Sequence, residues 1–468
     1  MFAAAGDAQR RSDQARALNK FAAPSTFELN WNRMRIDHLD VENFKKFTKQ
    51  SFDLNPHFTL LVGDNGSGKT SILDALSIAA GVWLVEPPDS TLYGRNILPA
   101  EIRLEAENRG DRIQFQERRP VIVAAKGRIG EHEQVSWTRQ IRREGKRTSN
   151  SDAKQALAYV KEIYDRDLAG ERILCPVLAY YGAGRAWLPS NQRIPGEAKP
   201  NGPVRRWATF YDCFSERIRF PELRKWFHRE TTAAGNRGGR MRPGFEAVRR
   251  AILGCVPNAD AIWFDPDREQ IVLSIDGNSQ PFDNLSAGQR MMLALIADLA
   301  IKAVTQNTYL LPPEEPGRDD GPLPEVLRQT PGVVLIDELD VHLHPNWQRR
   351  VATDLKRTFP AIQFVCTSHS PQIIGELQPE EIRLLDDEIT TPVRSFGIDS
   401  SRILEEIMDS PRRNQSVDDL LHKLFGLIDN EDFEGARKLL PEVEAGLGPD
   451  DPEVTRARTL MTFLESGL

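Results

Sequence analysis

The sequence predicts an α/β fold with a mixed and largely parallel sheet, an antiparallel β-subdomain, a helical lobe and a C-terminal helical tail. Three observations lead to this prediction. A short apolar strand runs into a glycine-rich loop and a helix over residues 58–76. A second apolar strand, at 332–336, ends in two carboxylates, and a third, at 362–367, ends in Ser368 and His369. Because parallel strands deliver their loops to one edge of a sheet, these three strand ends are expected to form one site.

The glycine-rich loop carries the residue types of a phosphate-binding loop, or P-loop. It reads Gly63-Asp64-Asn65-Gly66-Ser67-Gly68-Lys69-Thr70-Ser71. Glycine permits backbone conformations in which successive N–H groups converge on one phosphate, and the following helix adds the positive end of its dipole. Lys69 is expected to bind the β- and γ-phosphates of ATP, and the Thr70 hydroxyl to ligate Mg²⁺. A plain glycine turn before a helix is the alternative, but it does not explain why Lys69 and Thr70 stand at the motif positions that a P-loop requires.

Composition excludes several classes of protein. The chain has 468 residues, a length that ordinarily divides into about two or three units. Its formal net charge is −7, so the chain as a whole is not a general polyanion binder. Its four cysteines include no CxxC pair, which favours a reducing, cytoplasmic setting without a cysteine-based metal site. The longest apolar runs are too short or too interrupted by charge for a bilayer span of about 20 residues, and no membrane association is expected.

The residue pattern divides the chain into five segments. Residues 1–33 are polar and unpatterned and are interpreted as a flexible leader, with Met34 as an alternative start. The other segments are a first lobe with the P-loop and β-subdomain (34–170), a linking strand with a helical lobe (171–260), a second lobe (261–394) and an acidic tail (395–468). The tail contains four helical patterns whose pairing is typical of a helical hairpin packed on its own domain or on a partner.

Two basic segments are candidates for contact with DNA or RNA. Residues 118–147 alternate in strand fashion, and residues 237–242 form a glycine-containing loop. Solvated strand faces and a plain surface loop are the alternatives. The basic residues of the first segment are Arg118, Arg119, Lys126, Arg128, Arg139, Arg142, Arg143, Lys146 and Arg147.

The middle of the chain contains a buried strand and short helices. The strand, at 173–181, ends in Gly182-Ala183-Gly184-Arg185, where Arg185 is interpreted either as a residue near the nucleotide or as part of a surface turn. Helices are predicted at 207–217, 221–231 and 243–253, strands at 261–264 and 270–275, and a long helix at 289–303.

The segment before the long helix and the acids after the second strand are the remaining site candidates. Leu285-Ser286-Ala287-Gly288-Gln289 places Ser286 and Gly288 at a helix N-terminus that favours an anion, although alone it is an ordinary cap. Asp337 is expected to hold the metal, and Glu338 to polarise the attacking water. A solvated acidic turn is the alternative.

Three further residues follow these acids. His342 and His344 lack a third clustered ligand, so hydrogen-bonding or interface roles are preferred to a metal site. His369 is expected to face the γ-phosphate if the sheet is parallel.

These motifs, in this order, resemble those of ABC-type ATPases of the SMC, RecF and OLD-like branch: the P-loop at Gly63, LSAGQ at Leu285, the acidic strand end at Glu338, the loop acid Asp340, and His369. VENFKKF before the P-loop, YYGAGR and ELDVHLHP look similar to stand-alone bacterial ATPases labelled as virulence-associated, and to the ATPase subunit of Septu anti-phage systems.

The resemblance implies a homodimer or higher oligomer that sandwiches ATP and Mg²⁺. Ser286, Gly288 and Gln289 of one copy would cap the γ-phosphate bound at Lys69 of the other. Glu338 would be the base, Asp340 would communicate across the dimer, and His369 would sense the γ-phosphate. The implied function is an ATPase that gates a partner effector, a nuclease encoded nearby, in phage defence. The alternatives are a RecF-like DNA-repair ATPase and the ATPase subunit of a membrane transporter.

The sequence departs from this family in two respects. The region between Lys69 and Ser286 shows β-alternation and short helices where SMC proteins have long coiled coils. The glutamine loop of the family is not readily placed; Gln192 is a candidate, with Arg185 nearby.

Overall fold

A computed structural model describes residues 34–87, 94–109, 112–186, 206–211, 213–216, 218–311, 323–386, 388–411 and 413–465. The strands are β1 (Met34–Phe44), β2 (Phe47–Asp53), β3 (Phe58–Val62), β4 (Leu104–Arg109), β5 (Arg112–Glu117), β6 (Val121–Ile129), β7 (His132–Ile141), β8 (Ser149–Asp152), β9 (Val177–Tyr181), β10 (Ala259–Asp265), β11 (Gln270–Ile275), β12 (Asn278–Pro281), β13 (Gly332–Ile336), β14 (Ile362–Thr367), β15 (Ile382–Leu385) and β16 (Ile389–Thr390). The α-helices are α1 (Lys69–Ala80), α2 (Lys154–Leu168), α3 (Phe220–Gly235), α4 (Pro243–Cys255), α5 (Ala287–Gln306), α6 (Glu325–Gln329), α7 (Pro345–Thr358), α8 (Pro371–Ile374), α9 (Ser400–Glu406), α10 (Gln415–Asp429), α11 (Phe433–Leu447) and α12 (Pro452–Glu465).

A six-stranded sheet forms the centre of the fold, in the order β16-β15-β3-β14-β13-β9. All its pairings are parallel except the terminal pair of β15 with β16. Strands β3, β13 and β14 are buried along their whole length, as expected for a parallel sheet covered on both faces. The predicted α/β fold of the P-loop NTPase type is confirmed, and the loops after these three strands lie at one edge.

Helix α1 lies between the two main sheets. Its residues are buried almost all around, which explains the absence of a polar stripe in its sequence. One side contacts the parallel sheet, and the other contacts β1, β6 and β7 of a five-stranded antiparallel sheet in the order β2-β1-β6-β7-β8. Within the described ranges, no helix has the length and apolar character required to cross a membrane.

The predicted antiparallel region is present, and most of its strands join the N-terminal strands in one sheet. Strands β6, β7 and β8 join β1 and β2 in one sheet, and only β4 and β5 form an independent hairpin. The reason is long-range pairing: β6 pairs with β1 along most of its length, with Met34 opposite Ile129. The sheet and α1 share one hydrophobic core.

The second core lies on the other face of the parallel sheet, against α3, α4, α5 and α7. The helix predicted at 207–217 is wrong. A 3-10 helix occupies Arg206–Phe210, and residues 213–216 then run beside β9, where the Tyr180 and Gly182 N–H groups donate to the carbonyls of Cys213 and Glu216. Backbone pairing with a distant strand overrides the local helical pattern.

The acidic tail forms helices close to the predicted bounds. Helices α10, α11 and α12 pack on one another around a small core of their own. Helix α9 instead contacts α8, so it belongs to the main body. The segment boundaries given above remain predictions.

Candidate active site

The P-loop connects β3 to α1 through two left-handed glycines. Gly66 has φ 82° and Gly68 has φ 104°, a region that other residues rarely adopt. A Cβ on Gly68 would also lie 2.5 Å from Cζ of Phe47. Glycine is therefore required at position 68 both by conformation and by the close approach of the β1–β2 turn.

Lys69 is the first residue of α1 and is only 8% exposed. Its Nζ donates hydrogen bonds to the carbonyl oxygens of Gly63 (2.7 Å) and Asp64 (2.9 Å). Burial lowers the pKa of Lys69, while the carboxylates of Asp337 and Asp64 oppose that shift. The cation is thus held inside the loop, where a phosphate would bind.

Asp337 joins the P-loop to the neighbouring strand ends. Its Oδ2 accepts a hydrogen bond from the Thr70 hydroxyl at 2.9 Å, and its Oδ1 accepts one from the Thr367 hydroxyl at 2.6 Å. Its backbone N–H donates to the Tyr181 carbonyl. The predicted metal-binding pair, Thr70 and Asp337, is therefore in direct contact at the carboxyl edge of the sheet.

Glu338 follows Asp337 in a left-handed conformation, with φ 49°. Such a conformation is uncommon for glutamate, and it turns the chain sharply where β13 ends. The Glu338 N–H donates to the Thr367 hydroxyl at 2.7 Å, and the residue is half-buried. Thr367 thereby holds the side chain of Asp337 and the backbone of Glu338.

Asp340 links the loop after β13 to the loop after β14. Its Oδ1 accepts hydrogen bonds from the Ser368 hydroxyl at 2.5 Å and from the His369 N–H at 3.3 Å. The structure thus brings together two predicted site residues, Asp340 and His369. Their roles in dimer communication and phosphate sensing remain predictions.

The β1–β2 turn is a part of the site that sequence reasoning did not assign. Lys46 Nζ donates to the Gly66 carbonyl at 2.7 Å, and the Phe47 ring lies against Gly68. Lys45 forms an ion pair with Asp74 on α1. The sequence feature that could have indicated this contact is the pair of adjacent lysines, Lys45 and Lys46, ahead of the P-loop strand.

Glu216 is a second residue that was missed. It pairs with the end of β9 beside Gly182, next to the strand that carries Asp337. Glu216 is exposed, but the protein around it removes part of the hydration of its carboxylate, which raises its pKa, and the carboxylates of Asp74 and Asp337 raise it further. The Tyr180 hydroxyl is buried beside these acids and has no hydrogen-bond partner among the described residues. No local pattern marks Glu216, because its position depends on pairing with β9.

The LSAGQ segment lies at the surface, at the start of α5. The Gln289 N–H donates to the Ser286 hydroxyl, and the Ser286 N–H donates to the Gln289 side chain, so the two residues cap the helix reciprocally. Ser286 is exposed, whereas Gly288 is buried against the His342 carbonyl. This contact couples the helix start to the loop that follows Asp340.

Gly288→Ala is expected to disrupt that contact. A Cβ at position 288 would lie 2.3 Å from the His342 oxygen, so one of the two backbones must move, at a cost of about 1–3 kcal/mol in the free energy of unfolding. Gly426→Ala is the matched control, because no atom lies within 4 Å of its Cβ position in α10, and a gain of up to about 1 kcal/mol is expected. Urea denaturation of both variants measures the difference, and equal stabilities would refute this account of Gly288.

The other residues considered from the sequence are two histidines after Asp340 and the two candidates near the nucleotide, Arg185 and Gln192. His344 caps α7 by accepting a hydrogen bond from the Asn346 N–H, and His342 has φ 63°. The described ranges contain no group of three or more His, Cys, Asp or Glu side chains arranged to hold a metal ion. Arg185 lies in the 3-10 turn Ala183–Ala186, but its side chain, like the whole of Gln192, lies outside what the structure describes.

Several basic residues of 118–147 form hydrogen bonds or ion pairs within the fold, whereas solvated strand faces were the predicted alternative. Arg139 is fully buried and donates to main-chain and amide oxygens. Arg118 and Arg119 pair with Glu105 and Glu117 on the β4–β5 hairpin, and Arg128 pairs with Glu133. Three of the seven arginines in this segment therefore lie beside acids, and the Arg118–Glu105 pair joins residues that are distant in the sequence.

The residues present fit ATP with Mg²⁺. The Ser67 hydroxyl is buried in the P-loop without a hydrogen-bond partner among the described residues, so it can donate to a phosphate oxygen. Thr70 and Asp337 supply the hard oxygen ligands that Mg²⁺ prefers, and the ion would neutralise phosphate charge. Lys69 and the loop N–H groups would bind the phosphates themselves.

Two family models match the chain. One, described as an AAA domain, covers residues 38–224 and includes the P-loop. The other, described as an AAA domain, putative AbiEii toxin, Type IV TA system, covers residues 271–375 and includes Ser286, Asp337 and His369. Together the two matched ranges include the predicted site residues from Gly63 to His369.

Curated relatives include probable ATPases of two retrons and a Septu protein. The retron Ec83 probable ATPase of Escherichia coli is 34% identical over 192 residues, covering 39% of this chain and 33% of that protein. The retron Vc95 probable ATPase of Vibrio cholerae serotype O1 biovar El Tor is 22% identical over 450 residues, covering 82% of this chain and 81% of that protein. The Septu protein PtuA of Bacillus mycoides (strain KBAB4) is 23% identical over 393 residues, covering 82% of this chain and 45% of that protein. The chain therefore spans most of the Vc95 protein but less than half of the other two.

Among solved structures, the SMC head domain from Thermotoga maritima aligns with 75% of this chain and 94% of its own length. The two are 15% identical, with a TM-score of 0.42.

Proposed function

We propose that this chain, an SMC/RecF-like ATPase that resembles the Septu protein PtuA, dimerises around ATP and gates an effector in anti-phage defence. The observation that carries the ATPase part is the contact of Asp337 with Thr70 beside the buried Lys69. Glu338 follows on the same edge, where it can act as general base toward a water on the γ-phosphate.

The dimer part of the proposal rests on the position of the LSAGQ segment. The hydrogen bonds described for Ser286 lie within its own helix cap, and Ser286 is exposed at the start of α5. A helix N-terminus at the surface offers N–H groups and a positive dipole to an anion brought by another molecule. ATP bound at Lys69 of a second copy supplies that anion, so each site is completed by the partner.

The test is light scattering on the Glu338→Gln variant, in which bound ATP persists. Mass is expected to double when ATP and Mg²⁺ are added. Adding Ser286→Arg is expected to prevent the doubling, because the arginine side chain fills the surface that meets the phosphate. Ser279→Arg is the matched control, since Ser279 is exposed on β12, outside the helix cap, and is expected to leave the doubling intact. No ATP-dependent change in mass, or equal loss in both arginine variants, would contradict the sandwich dimer.

The gating part of the proposal rests on the relatives, whose names place them in retron and Septu systems. The proposed effector is a nuclease encoded beside this chain. DNA cleavage by the co-purified pair is expected to differ between wild type and Glu338→Gln in the presence of ATP. Equal cleavage by the two complexes would show that the nucleotide state does not control the effector.

A further inference from the structure

A cavity of about 460 Å³ opens beside the end of the 3-10 helix Gly81–Leu84 that follows α1, and its charged lining is cationic. Arg139, Lys146 and Arg147 line it, with Asn96, Thr148 and Asn150 as neutral polar neighbours. No Asp or Glu lines the cavity within the described part of the chain. This differs from the rest of a chain whose net charge is −7.

Arg139 forms the floor of the cavity and is 0% exposed. It donates to the carbonyls of Ile78 (2.8 Å) and Arg95 (2.6 Å), and to the amide oxygens of Asn96 (2.8 Å) and Asn150 (3.0 Å). All these acceptors are neutral. In the ranges that the structure covers, no carboxylate pairs with this guanidinium.

The environment of Arg139 is unfavourable for its charge. Burial lowers the pKa of Arg139 to about 10, and the neighbouring Arg95 contributes to the shift. The negative end of α1 offsets part of the charge, because the dipole of a helix is equivalent to about half an elementary charge at each end. A bound anion would compensate the remainder, since a buried charge without a counter-charge destabilises the fold.

Lys146 and Arg147 are exposed at the mouth of the cavity, in the turn between β7 and β8. The turn is held by a hydrogen bond from the Arg119 side chain to the Gly145 carbonyl. Two exposed cations above a buried one provide both electrostatic attraction and charge-assisted hydrogen bonds. Arginine and lysine in this combination are the usual protein partners of phosphate.

We propose that this cavity binds a phosphate group, carried either by a nucleic-acid backbone or by a small phosphorylated ligand. The cavity has room for a phosphate with part of its carrier. The inference is independent of the proposed dimer, because all the residues that line the cavity lie in one copy.

The test uses the full-length chain with Lys69→Ala, which is expected to weaken phosphate binding at the P-loop. A fluorescein-labelled single-stranded oligonucleotide is titrated by anisotropy at low salt, and inorganic tripolyphosphate is titrated by calorimetry. In this background, Lys146→Glu with Arg147→Glu is expected to weaken binding about tenfold or more, through the loss of two phosphate contacts. Binding of the oligonucleotide alone assigns the phosphate to a nucleic-acid backbone, and one-to-one binding of tripolyphosphate assigns it to a small ligand.

The matched control is Arg142→Glu with Arg143→Glu, which makes the same change in charge in the same exposed turn but outside the cavity lining. Its effect is expected to stay below about threefold. Thermal unfolding checks that both double variants are folded. If neither ligand binds, or if the two double variants lose the same amount of binding affinity, the proposal is wrong.

Discussion

Replacement of Glu338 by glutamine is expected to lower the rate of ATP hydrolysis about a thousandfold, the usual scale for loss of a general base. Glutamine keeps the shape of the side chain but cannot accept a proton from water. Glu338 has φ 49° and its N–H is bound by Thr367, so the replacement is expected to leave the backbone unchanged. Steady-state phosphate release measures the rate, and calorimetry is expected to show unchanged ATP affinity.

Glu380→Gln is the matched control for this prediction. Glu380 is exposed and precedes β15, so it lies at the edge of the parallel sheet opposite the P-loop. Its replacement is expected to change the rate by less than about twofold, as for a surface substitution away from the site. An undiminished rate in Glu338→Gln would assign the base to another acid, and Glu216 would then be the next residue to test.

Replacement of Lys69 by alanine is expected to weaken ATP binding about a hundredfold. Hydrogen bonds to charged groups contribute about 1.5–3 kcal/mol, and Lys69 is proposed to form them with two phosphates. Because burial lowers the pKa of Lys69, the folded state disfavours its charge, and the alanine variant is not expected to lose stability without nucleotide. Calorimetry measures the affinity, and thermal unfolding is expected to show that ATP no longer raises the melting temperature.

Lys46→Ala provides a graded comparison. Lys46 donates to the Gly66 carbonyl from outside the loop, so its loss removes one supporting hydrogen bond of about 1 kcal/mol, or roughly fivefold in affinity. A loss in Lys46→Ala as large as that in Lys69→Ala would mean that the β1–β2 turn, and not Lys69, provides most of the phosphate binding.

Local patterns were sufficient for the strands and helices that carry the P-loop and the acids. β3 spans the predicted Phe58–Val62, and β14 spans the predicted Ile362–Thr367. These segments are buried along their whole length, so each is a continuous apolar run. Such a run predicts a strand without any information from distant residues. The glycines of the P-loop are similarly local, since each is required by the backbone at its own position.

Contacts between distant segments were not accessible in the same way. Asp340 reaches Ser368 and His369, and Glu216 lies beside Gly182, across sequence separations that no periodicity spans. The helix predicted at 207–217 was wrong for the same reason, because backbone pairing with β9 takes over part of it. The alternating pattern of its strand predicts that Arg139 is a surface cation. Arg139 is instead buried, because β7 packs against α1 and the guanidinium donates to the Ile78 carbonyl.

The sequence by itself determined that this protein has a P-loop, a LSAGQ helix start and two acids at a buried strand end. It did so because short segments with obligatory glycines, apolar runs and terminal carboxylates have few alternative conformations. Only the tertiary structure decided that Lys46 contacts the P-loop and Lys45 contacts α1, that Glu216 lies beside the end of β9, and that Arg139 lines a cationic cavity. The physical reason is that these positions follow from the register of strands far apart in the chain, and register is set by packing of the whole core.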